Sequence, residues 1–297
     1  MINEIDRQPI VVVEHYCLLG EGPVWDAKQQ MLYWVDILNG AIHGYAPKNK
    51  MHTTIQLDQL IGAFAFCTDG NFIAALQNGF AFIDRVSGEI KMIEDPEAHL
   101  PGNRFNDGKC DPAGRFWAGT MALTEEAGAG GVYTIQKNAG VTKKIDNVSI
   151  SNGMAWSADN TKLYYIDSPS FKVMAYDYDK TTGHICNKKT IITITAADGV
   201  PDGMTIDTEG MLWIAHWDGW KVTRWNPANG EKLFHFTLPV GRATSCTFGG
   251  ESLEDLYITS AMVGLTEEAL ESQPLAGALF VISNCGFKGL PAFEFVQ

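Results

Sequence analysis

A short motif recurs along this chain at intervals of 41 to 50 residues. Each copy begins with a marker residue and continues as a short, largely apolar run, most clearly in Glu21-Gly-Pro-Val-Trp-Asp26 and Asn152-Gly-Met-Ala-Trp-Ser157. The six markers are Glu21, Gly62, Asn106, Asn152, Asp202 and Ser245. Repeats of this length are typical of propellers and solenoids, in which each unit buries its apolar faces against its neighbours.

Each unit continues with further runs of β-branched and aromatic residues. The second runs cover residues 31–36, 71–75, 115–119, 162–167, 211–215 and 255–259. A third run is clearest at 172–178 and 221–225, and Ser87-Gly88, Thr182-Gly183 and Asn229-Gly230 predict turns into a fourth. Such short runs between Gly, Asn and Asp are typical of strands. Only residues 265–272 favour a helix, since Thr266-Glu-Glu-Ala can open one or two turns.

Six four-stranded units predict an all-β fold, a six-bladed β-propeller with four-stranded antiparallel blades. Radial closure of the blades leaves few free sheet edges. We expect closure through an N-terminal strand near 10–13 or through a last strand near 293–296. The repeat runs unbroken and no linker divides it, so residues 1–297 are predicted to form a single domain.

Composition narrows the function classes. The 45% hydrophobic and 19% charged residues suit a soluble globular protein. The net charge of −13, without a Lys/Arg-dense face, argues against a nucleic-acid partner. No apolar run is long enough for a membrane span, and the start, residues 1–9, lacks the apolar core of a signal peptide. Six scattered cysteines without a Cys-x-x-Cys pair favour reduced thiols and a cytoplasmic protein.

The marker position predicts a metal site. In a closed ring of blades, residues at one repeat position meet at the mouth of the central channel. That position carries two carboxylates, two amides and a hydroxyl, with Gly62 leaving room. All-oxygen ligands suit Ca²⁺ or Mg²⁺ best, and Zn²⁺, Mn²⁺ or Fe²⁺ are also possible. Asn or Asp before Gly can instead shape a tight turn, but Glu21 is a poor turn former.

Other polar and aromatic residues offer weaker signals. Arg104, two residues before Asn106, can donate hydrogen bonds to ligand oxygens, or it can pair with Asp107. His216 is predicted to be structural. Trp217 and Trp220 either wall the pocket or, as we favour, pack between blades. Gly-x-Ser-x-Gly is absent, so a nucleophilic serine is not predicted.

Taken together, the motifs resemble the family of gluconolactonase, regucalcin (senescence marker protein) and the luciferin-regenerating enzyme. The matching segments are Gly20-Glu-Gly-Pro-Val-Trp25, Arg104-Phe-Asn-Asp-Gly-Lys109, Asp111-Pro-Ala-Gly-Arg115, Ala118-Gly-Thr-Met121, Ser151-Asn-Gly-Met-Ala-Trp156 and Pro201-Asp-Gly-Met204. The resemblance implies a cation held by Glu21, Asn152 and Asp202. It also implies that Arg104 and Asn106 bind substrate oxygens.

The same resemblance raises a question about substrate contacts. Some relatives carry a substrate-contacting Glu shortly after the Ala-Gly-Thr-Met strand. This chain reads Ala122-Leu-Thr124 there, with Glu125 and Glu126 slightly later. Either glutamate is therefore a candidate contact to the substrate.

These observations lead to an expected function. We expect a divalent-metal-dependent hydrolase, a gluconolactonase-like lactonase of carbohydrate metabolism, that opens a sugar-acid lactone to the free acid. Asp202 is expected to be both a metal ligand and the general base for the attacking water. The alternatives are a metal-dependent organophosphate or aryl esterase and a non-enzymatic calcium-binding regulator. The pattern carries no signal of oligomeric state.

Overall fold

Antiparallel hairpins follow one another along almost the whole chain. The computed structural model describes residues 7–137 and 139–297. Residues 1–6, which are part of the segment predicted to lack the apolar core of a signal peptide, lie outside the described residues. The described strands form six sheets of four strands each. The fold is the predicted six-bladed β-propeller with four-stranded antiparallel blades.

Each of the first five blades is built from four consecutive strands. Blade 1 comprises β2 (Gly20–Asp26), β3 (Met31–Asp36), β4 (Ala41–Ala46) and β5 (Met51–Gln56). Blade 2 comprises β6 (Ile61–Phe66), β7 (Phe72–Leu76), β8 (Gly79–Ile83) and β9 (Ile90–Glu94). Blade 3 comprises β10 (Asn103–Cys110), β11 (Phe116–Ala122), β12 (Gly130–Gln136) and β13 (Gly140–Val148). Blade 4 comprises β14 (Ser151–Trp156), β15 (Lys162–Asp167), β16 (Lys172–Asp179) and β17 (His184–Thr193). Blade 5 comprises β18 (Val200–Ile206), β19 (Leu212–Trp217), β20 (Lys221–Asn226) and β21 (Glu231–Thr237).

The sixth blade closes the ring by pairing three strands from the C-terminal part of the chain with one N-terminal strand. It comprises β22 (Ala243–Gly249), β23 (Asp255–Ser260), β24 (Phe280–Ile282) and, outermost, β1 (Ile10–Val11). Ile10 lies opposite Val281, so the N-terminal alternative for closure is confirmed. The other alternative is wrong, because Phe295 forms a parallel bridge to Cys67 beside blade 2 instead.

The apolar core is divided among the blade interfaces. The innermost strands contact one another around the ring in the order β2, β6, β10, β14, β18, β22 and back to β2. A cluster of buried apolar residues fills each of the six interfaces. Trp213 of blade 5, for example, is fully buried with its ring 5.7 Å from that of Phe248 of blade 6. Burying a large apolar side chain of this kind contributes roughly 1.5–3 kcal/mol, so the interfaces stabilise the closed ring.

Turns and short helices connect the strands. The predicted turn glycines Gly88, Gly183 and Gly230 all have positive φ. The predicted helix is confirmed as α1 (Glu267–Ser272), capped by Thr266, whose Oγ1 accepts the Ala269 N–H at 3.2 Å. Single 3₁₀ turns at Ser168–Ser170 and Ala196–Asp198 were not predicted, since three residues carry no helical pattern. No helix in the described part of the chain is both long and apolar enough to cross a membrane.

Candidate active site at the channel mouth

A β-bulge interrupts the innermost strand of every blade at or next to the marker residue. The register shifts fall between Glu21 and Val24, Ile61 and Ala63, Phe105 and Gly108, Asn152 and Met154, Pro201 and Met204, and Ala243 and Ser245. A bulge bends the strand and redirects its side chains. Six bulges at one repeat position therefore give the markers a local geometry that regular strands lack.

The redirected side chains line one cavity of about 680 Å³. All five predicted site residues contribute to its wall: Glu21, Arg104, Asn106, Asn152 and Asp202. Ser245 is buried but is not among the lining residues. At Gly62, an added Cβ would lie 2.5 Å from the Phe105 carbonyl oxygen. The space beside this glycine is therefore occupied by the neighbouring strand β10.

Hydrogen bonds orient the two amides. Asn152 donates from Nδ2 to Ser168 Oγ at 2.8 Å, and this hydroxyl donates to the Pro201 carbonyl of the next blade at 2.7 Å. Asn106 donates from Nδ2 to the Ser151 carbonyl at 2.8 Å and to Asn152 Oδ1 at 3.3 Å. Asn152 Oδ1 accepts only the long bond from Asn106 among the described residues, so a second lone pair is left for a ligand. Ser168 was missed by sequence reasoning because it belongs to the unpredicted 3₁₀ turn.

Arg104 is held by its own strand. Its Nη1 donates to Asn106 Oδ1 at 2.7 Å and to the Phe105 carbonyl at 2.9 Å. The alternative pairing with Asp107 is not among the ion pairs of the described residues, and Asp107 Oδ1 accepts the Gly108 N–H at 2.7 Å instead. Burial lowers the pKa of Arg104 to about 10, which still leaves the guanidinium cationic at neutral pH.

Crowded carboxylates give the cavity its electrostatic character. Glu21 and Asp202 are 4% and 7% exposed. Burial raises the pKa of Glu21 well above its usual value, and repulsion from Asp202 and Asp107 adds to the effect. Burial, with repulsion from Asp107, likewise raises the pKa of Asp202. A cation bound between these groups would offset both the burial and the repulsion.

Asp107 and Lys109 are a further charged pair that sequence reasoning left without a site role. Burial raises the pKa of Asp107 and lowers that of Lys109, and each partner opposes the shift of the other. Lys109 Nζ also donates to the Met204 carbonyl of blade 5 at 2.8 Å. Asp107 does not line the cavity, but it lies close enough to repel Glu21 and Asp202. It belongs to the bulge of β10, where strand alternation does not predict side-chain direction.

The donor set fits a hard divalent cation. Two carboxylates and an amide oxygen converge on one cavity without sulfur or imidazole among the predicted ligands. Calcium and magnesium take such oxygen ligands. Glu21, Asn152 and Asp202 are the residues that would hold the ion.

The lining of the cavity bears on two points that the sequence left open. Trp217 lines the cavity, as the first alternative predicted, and the Arg242 guanidinium lies 4.6 Å from its ring centroid, so the side chain also contacts the segment that enters blade 6. Trp220, for which we likewise favoured packing between blades, is 42% exposed. Glu125, but not Glu126, is among the lining residues.

His216 has the structural role predicted for it. The side chain is fully buried and lies outside the cavity lining. Its Nε2 is 2.6 Å from Thr223 Oγ1 on the neighbouring strand. Burial lowers the pKa of His216 to about 4, which keeps the imidazole neutral.

The fold and the site define a class: a six-bladed β-propeller whose axis carries a buried carboxylate and amide cavity. Residues 19–262 match the family described as the SMP-30/Gluconolactonase/LRE-like region. The chain belongs to this family, as its motifs predicted.

Individual relatives cover nearly the whole chain. Regucalcin of Danio rerio is 40% identical over 279 residues, which cover 93% of this chain and 94% of that protein. "Putative sugar lactone lactonase YvrE" of Bacillus subtilis (strain 168) is 36% identical over 276 residues, covering 92% and 94%. The crystal structure of a calcium-binding protein, regucalcin, from Agrobacterium tumefaciens superposes with a TM-score of 0.91 at 30% identity, covering 98% and 97%. The family supports hydrolysis of sugar lactones as the reaction class.

Proposed function

We propose that this protein hydrolyses a gluconolactone-like sugar-acid lactone to the open-chain acid and depends on a divalent cation. The observation that carries the proposal is the pair of buried carboxylates, Glu21 and Asp202, beside Arg104 in one cavity. A volume of about 680 Å³ accommodates a monosaccharide lactone. The gluconolactonase in the family description and the lactonase name of the Bacillus relative support the same reaction.

Calcium is the cation we propose, held by Glu21, Asn152 and Asp202, because the donors are all oxygens. Zinc, magnesium, manganese and iron(II) are the other ions to be compared. When bound, such an ion polarises the lactone carbonyl and lowers the pKa of water. The six cysteines are all free, which supports a reducing compartment such as the cytoplasm.

The remaining chemistry is assigned to side chains of the cavity. Hydrolysis joins a water oxygen to the carbonyl carbon, and the ring oxygen leaves as a hydroxyl. Asp202 takes the proton from the attacking water and returns it to the ring oxygen as the ring C–O bond breaks, because its carboxylate lines the cavity that would hold the lactone. Arg104 and Asn106, bonded to each other at 2.7 Å, orient the ring oxygens. Both hydrogen bonds of Arg104 to the described residues use Nη1, so its other N–H groups can face the product carboxylate.

Replacing Asp202 tests the mechanism. Asp202→Asn keeps the side-chain size but removes the base and one anionic ligand, so kcat/KM for gluconate- or pentonate-type lactones should fall by roughly 10²-fold or more. Acid release is measured after chelation and re-addition of each cation. Asp146→Asn is the matched control, because Asp146 is 71% exposed, pairs with Lys143 and lies outside the cavity lining. Full activity of Asp202→Asn, or of the metal-stripped protein, would contradict the mechanism.

A second candidate is a calcium-binding regulator without catalytic activity. The description of the Agrobacterium structure as a calcium-binding protein favours it. Both candidates predict calcium binding that Asp202→Asn weakens in calorimetry. Only the enzyme turns over lactones, so no turnover of any lactone with any of the five cations would favour the regulator. An organophosphate and an aryl ester, assayed on the same samples, test the esterase alternative.

A further inference from the structure

A second cluster of ligating side chains lies outside the axial cavity. His15, Cys17, Asp36 and His43 each place one ligand atom within 4.8 Å of the others. None of the four lines the axial cavity. His15 and Cys17 lie on the segment between β1 and β2, Asp36 ends β3, and His43 lies in β4. The cluster therefore joins the segment that closes the ring to the body of blade 1.

His43 has an unpaired nitrogen in a fully buried ring. Its Nδ1 lies 3.1 Å from Thr54 Oγ1 and 3.2 Å from His52 Nε2. Its Nε2 is buried and has no hydrogen-bond partner among the described residues, although the side chain is only 1% exposed. A buried polar atom without a partner is costly unless it binds something. An imidazole fixed through one nitrogen, with the other free, can bind a metal. His216 also has an unpaired nitrogen, but among the described residues only His43 has three further ligating side chains beside it.

Cys17 is prepared as a ligand by its surroundings. The side chain is 1% exposed, and Trp34 Nε1 donates to Sγ at 3.4 Å. The sulfur lies within 4.8 Å of the ligand atoms of His15, Asp36 and His43. Metal binding deprotonates such a thiol, and the Trp34 N–H then stabilises the thiolate.

Asp36 fixes the loop between β1 and β2, which carries the ligands His15 and Cys17. Its carboxylate accepts the N–H groups of Leu18 at 2.9 Å and Leu19 at 3.1 Å. These bonds set the position of Cys17, one residue earlier. Asn39 also donates to this carboxylate, from Nδ2 at 2.8 Å and from its backbone N–H at 3.4 Å, so a metal bound by Asp36 would replace the longer of these two bonds while the loop stays held.

We propose that His15, Cys17, Asp36 and His43 form a structural site for a transition-metal ion of the zinc class. One thiolate, two imidazoles and one carboxylate suit zinc and exclude calcium, which takes oxygen ligands. A complete set of four protein ligands is typical of structural zinc, because a catalytic ion keeps an open position. The site is thus chemically distinct from the axial one.

Binding requires a small contraction. With metal–ligand bonds of about 2.0–2.3 Å, the ligand atoms of a tetrahedral site lie roughly 3.3–3.8 Å apart. The separations of up to 4.8 Å therefore close by about 1 Å when the metal enters. His15, the partly exposed member on a loop, is the ligand free to move.

The site would tie the ends of the ring together. The ligand segment also bonds to blade 6, since the Val12 and Cys17 N–H groups donate to the Leu279 and Gly277 carbonyls at 2.9 and 2.8 Å. A metal that joins this segment to β3 and β4 of blade 1 links the last blade to the first. Binding of the ion to the folded state alone raises the melting temperature.

Cobalt substitution tests the proposal. The whole chain is stripped with a chelator, saturated with calcium to occupy the axial site, and titrated with Co²⁺. We expect one equivalent bound with a thiolate-to-cobalt charge-transfer band. The band should be lost in Cys17→Ser but kept in Cys186→Ser, whose cysteine is exposed, and in Asp202→Asn. Zinc should raise the melting temperature of the wild type and not of Cys17→Ser.

His15→Ala is a second variant, chosen because His15 is the least buried ligand and its loss perturbs the fold least. We expect it to weaken Co²⁺ binding by roughly 10-fold or more. A wild-type protein without the band, a band unchanged in Cys17→Ser, or cobalt affinity unchanged in His15→Ala would each overturn the proposal. These readouts do not involve lactone turnover, so the axial function and the second site succeed or fail separately.

Discussion

Glu125 contributes a third acidic side chain to the wall of the axial cavity. Its φ of +57° places the backbone in the left-handed region, which non-glycine residues adopt rarely. Its charge raises the pKa of Arg104, against the larger effect of burial. Strained residues cluster at ligand sites. Glu125 rather than Glu126 is therefore the glutamate that we expect to contact the substrate.

Replacing Glu125 should affect substrate binding more than turnover. Glu125→Gln removes a charged acceptor for a sugar hydroxyl, and a hydrogen bond to a charged group is worth about 1.5–3 kcal/mol, so KM should rise roughly 10-fold with little change in kcat. Lactone kinetics provide the measurement. Glu126→Gln is the control, because Glu126 is exposed and outside the cavity lining. Equal KM values for the two variants would exclude this contact.

The β-bulges in the innermost strands set the position of the candidate site residues. In β18 the bulge includes Asp202 and Gly203, between Pro201 and Met204. A Cβ at Gly203 would lie 2.8 Å from the Ser245 Cα and 2.4 Å from its Cβ, on β22. Neighbouring inner strands can approach this closely only without a side chain here. The glycine after the marker thus serves strand packing, while the marker itself faces the cavity.

A methyl group at this bulge should destabilise the ring. Gly203→Ala forces β18 and β22 apart and should lower the free energy of unfolding by about 1–3 kcal/mol. Denaturant unfolding measures the change. Gly102→Ala is matched to it, since an added Cβ there meets nothing within 4 Å and should change stability by less than about 0.5 kcal/mol. Equal free energies of unfolding for the two variants would show that β18 and β22 accommodate the added methyl group without a loss of stability.

At the scale of the whole molecule, stability depends on six apolar interfaces that also bury polar groups. His216 is one of these groups, neutral and bonded to Thr223. An unfolded histidine has a pKa near 6.5, whereas burial lowers that of His216 to about 4. Because the unfolded state then binds more protons between these values, the free energy of unfolding falls as pH falls from about 6.5 toward 4.

Removing this histidine should flatten the acid side of the stability profile. His216→Gln retains a polar group but cannot be protonated, so its stability relative to wild type should improve by on the order of 1–3 kcal/mol between pH 7 and pH 4. Urea unfolding at several pH values gives the slopes. His184→Gln, at an exposed position, should keep the wild-type slope. Identical slopes for His216→Gln and wild type would show that His216 does not couple stability to pH.

The sequence alone determined the number of blades, their strands and the five candidate residues of the axial cavity. Periodic apolar runs report local strand formation, and a ring places one repeat position at its axis, so Glu21, Asn106, Asn152 and Asp202 could be grouped without coordinates. The family resemblance then singled out Glu21, Asn152 and Asp202 as the metal ligands. That they bind a metal stays a prediction.

Only the tertiary structure decided what depends on irregular backbone and on contacts between distant segments. The bulge in β10 includes Asp107, and a three-residue 3₁₀ turn carries Ser168, which bonds to Asn152. The segment between β1 and β2 places His15 and Cys17 near His43. None of these follows a period. A one-residue bulge reverses the alternation from which side-chain direction is read, and loop contacts depend on the packing of the whole ring.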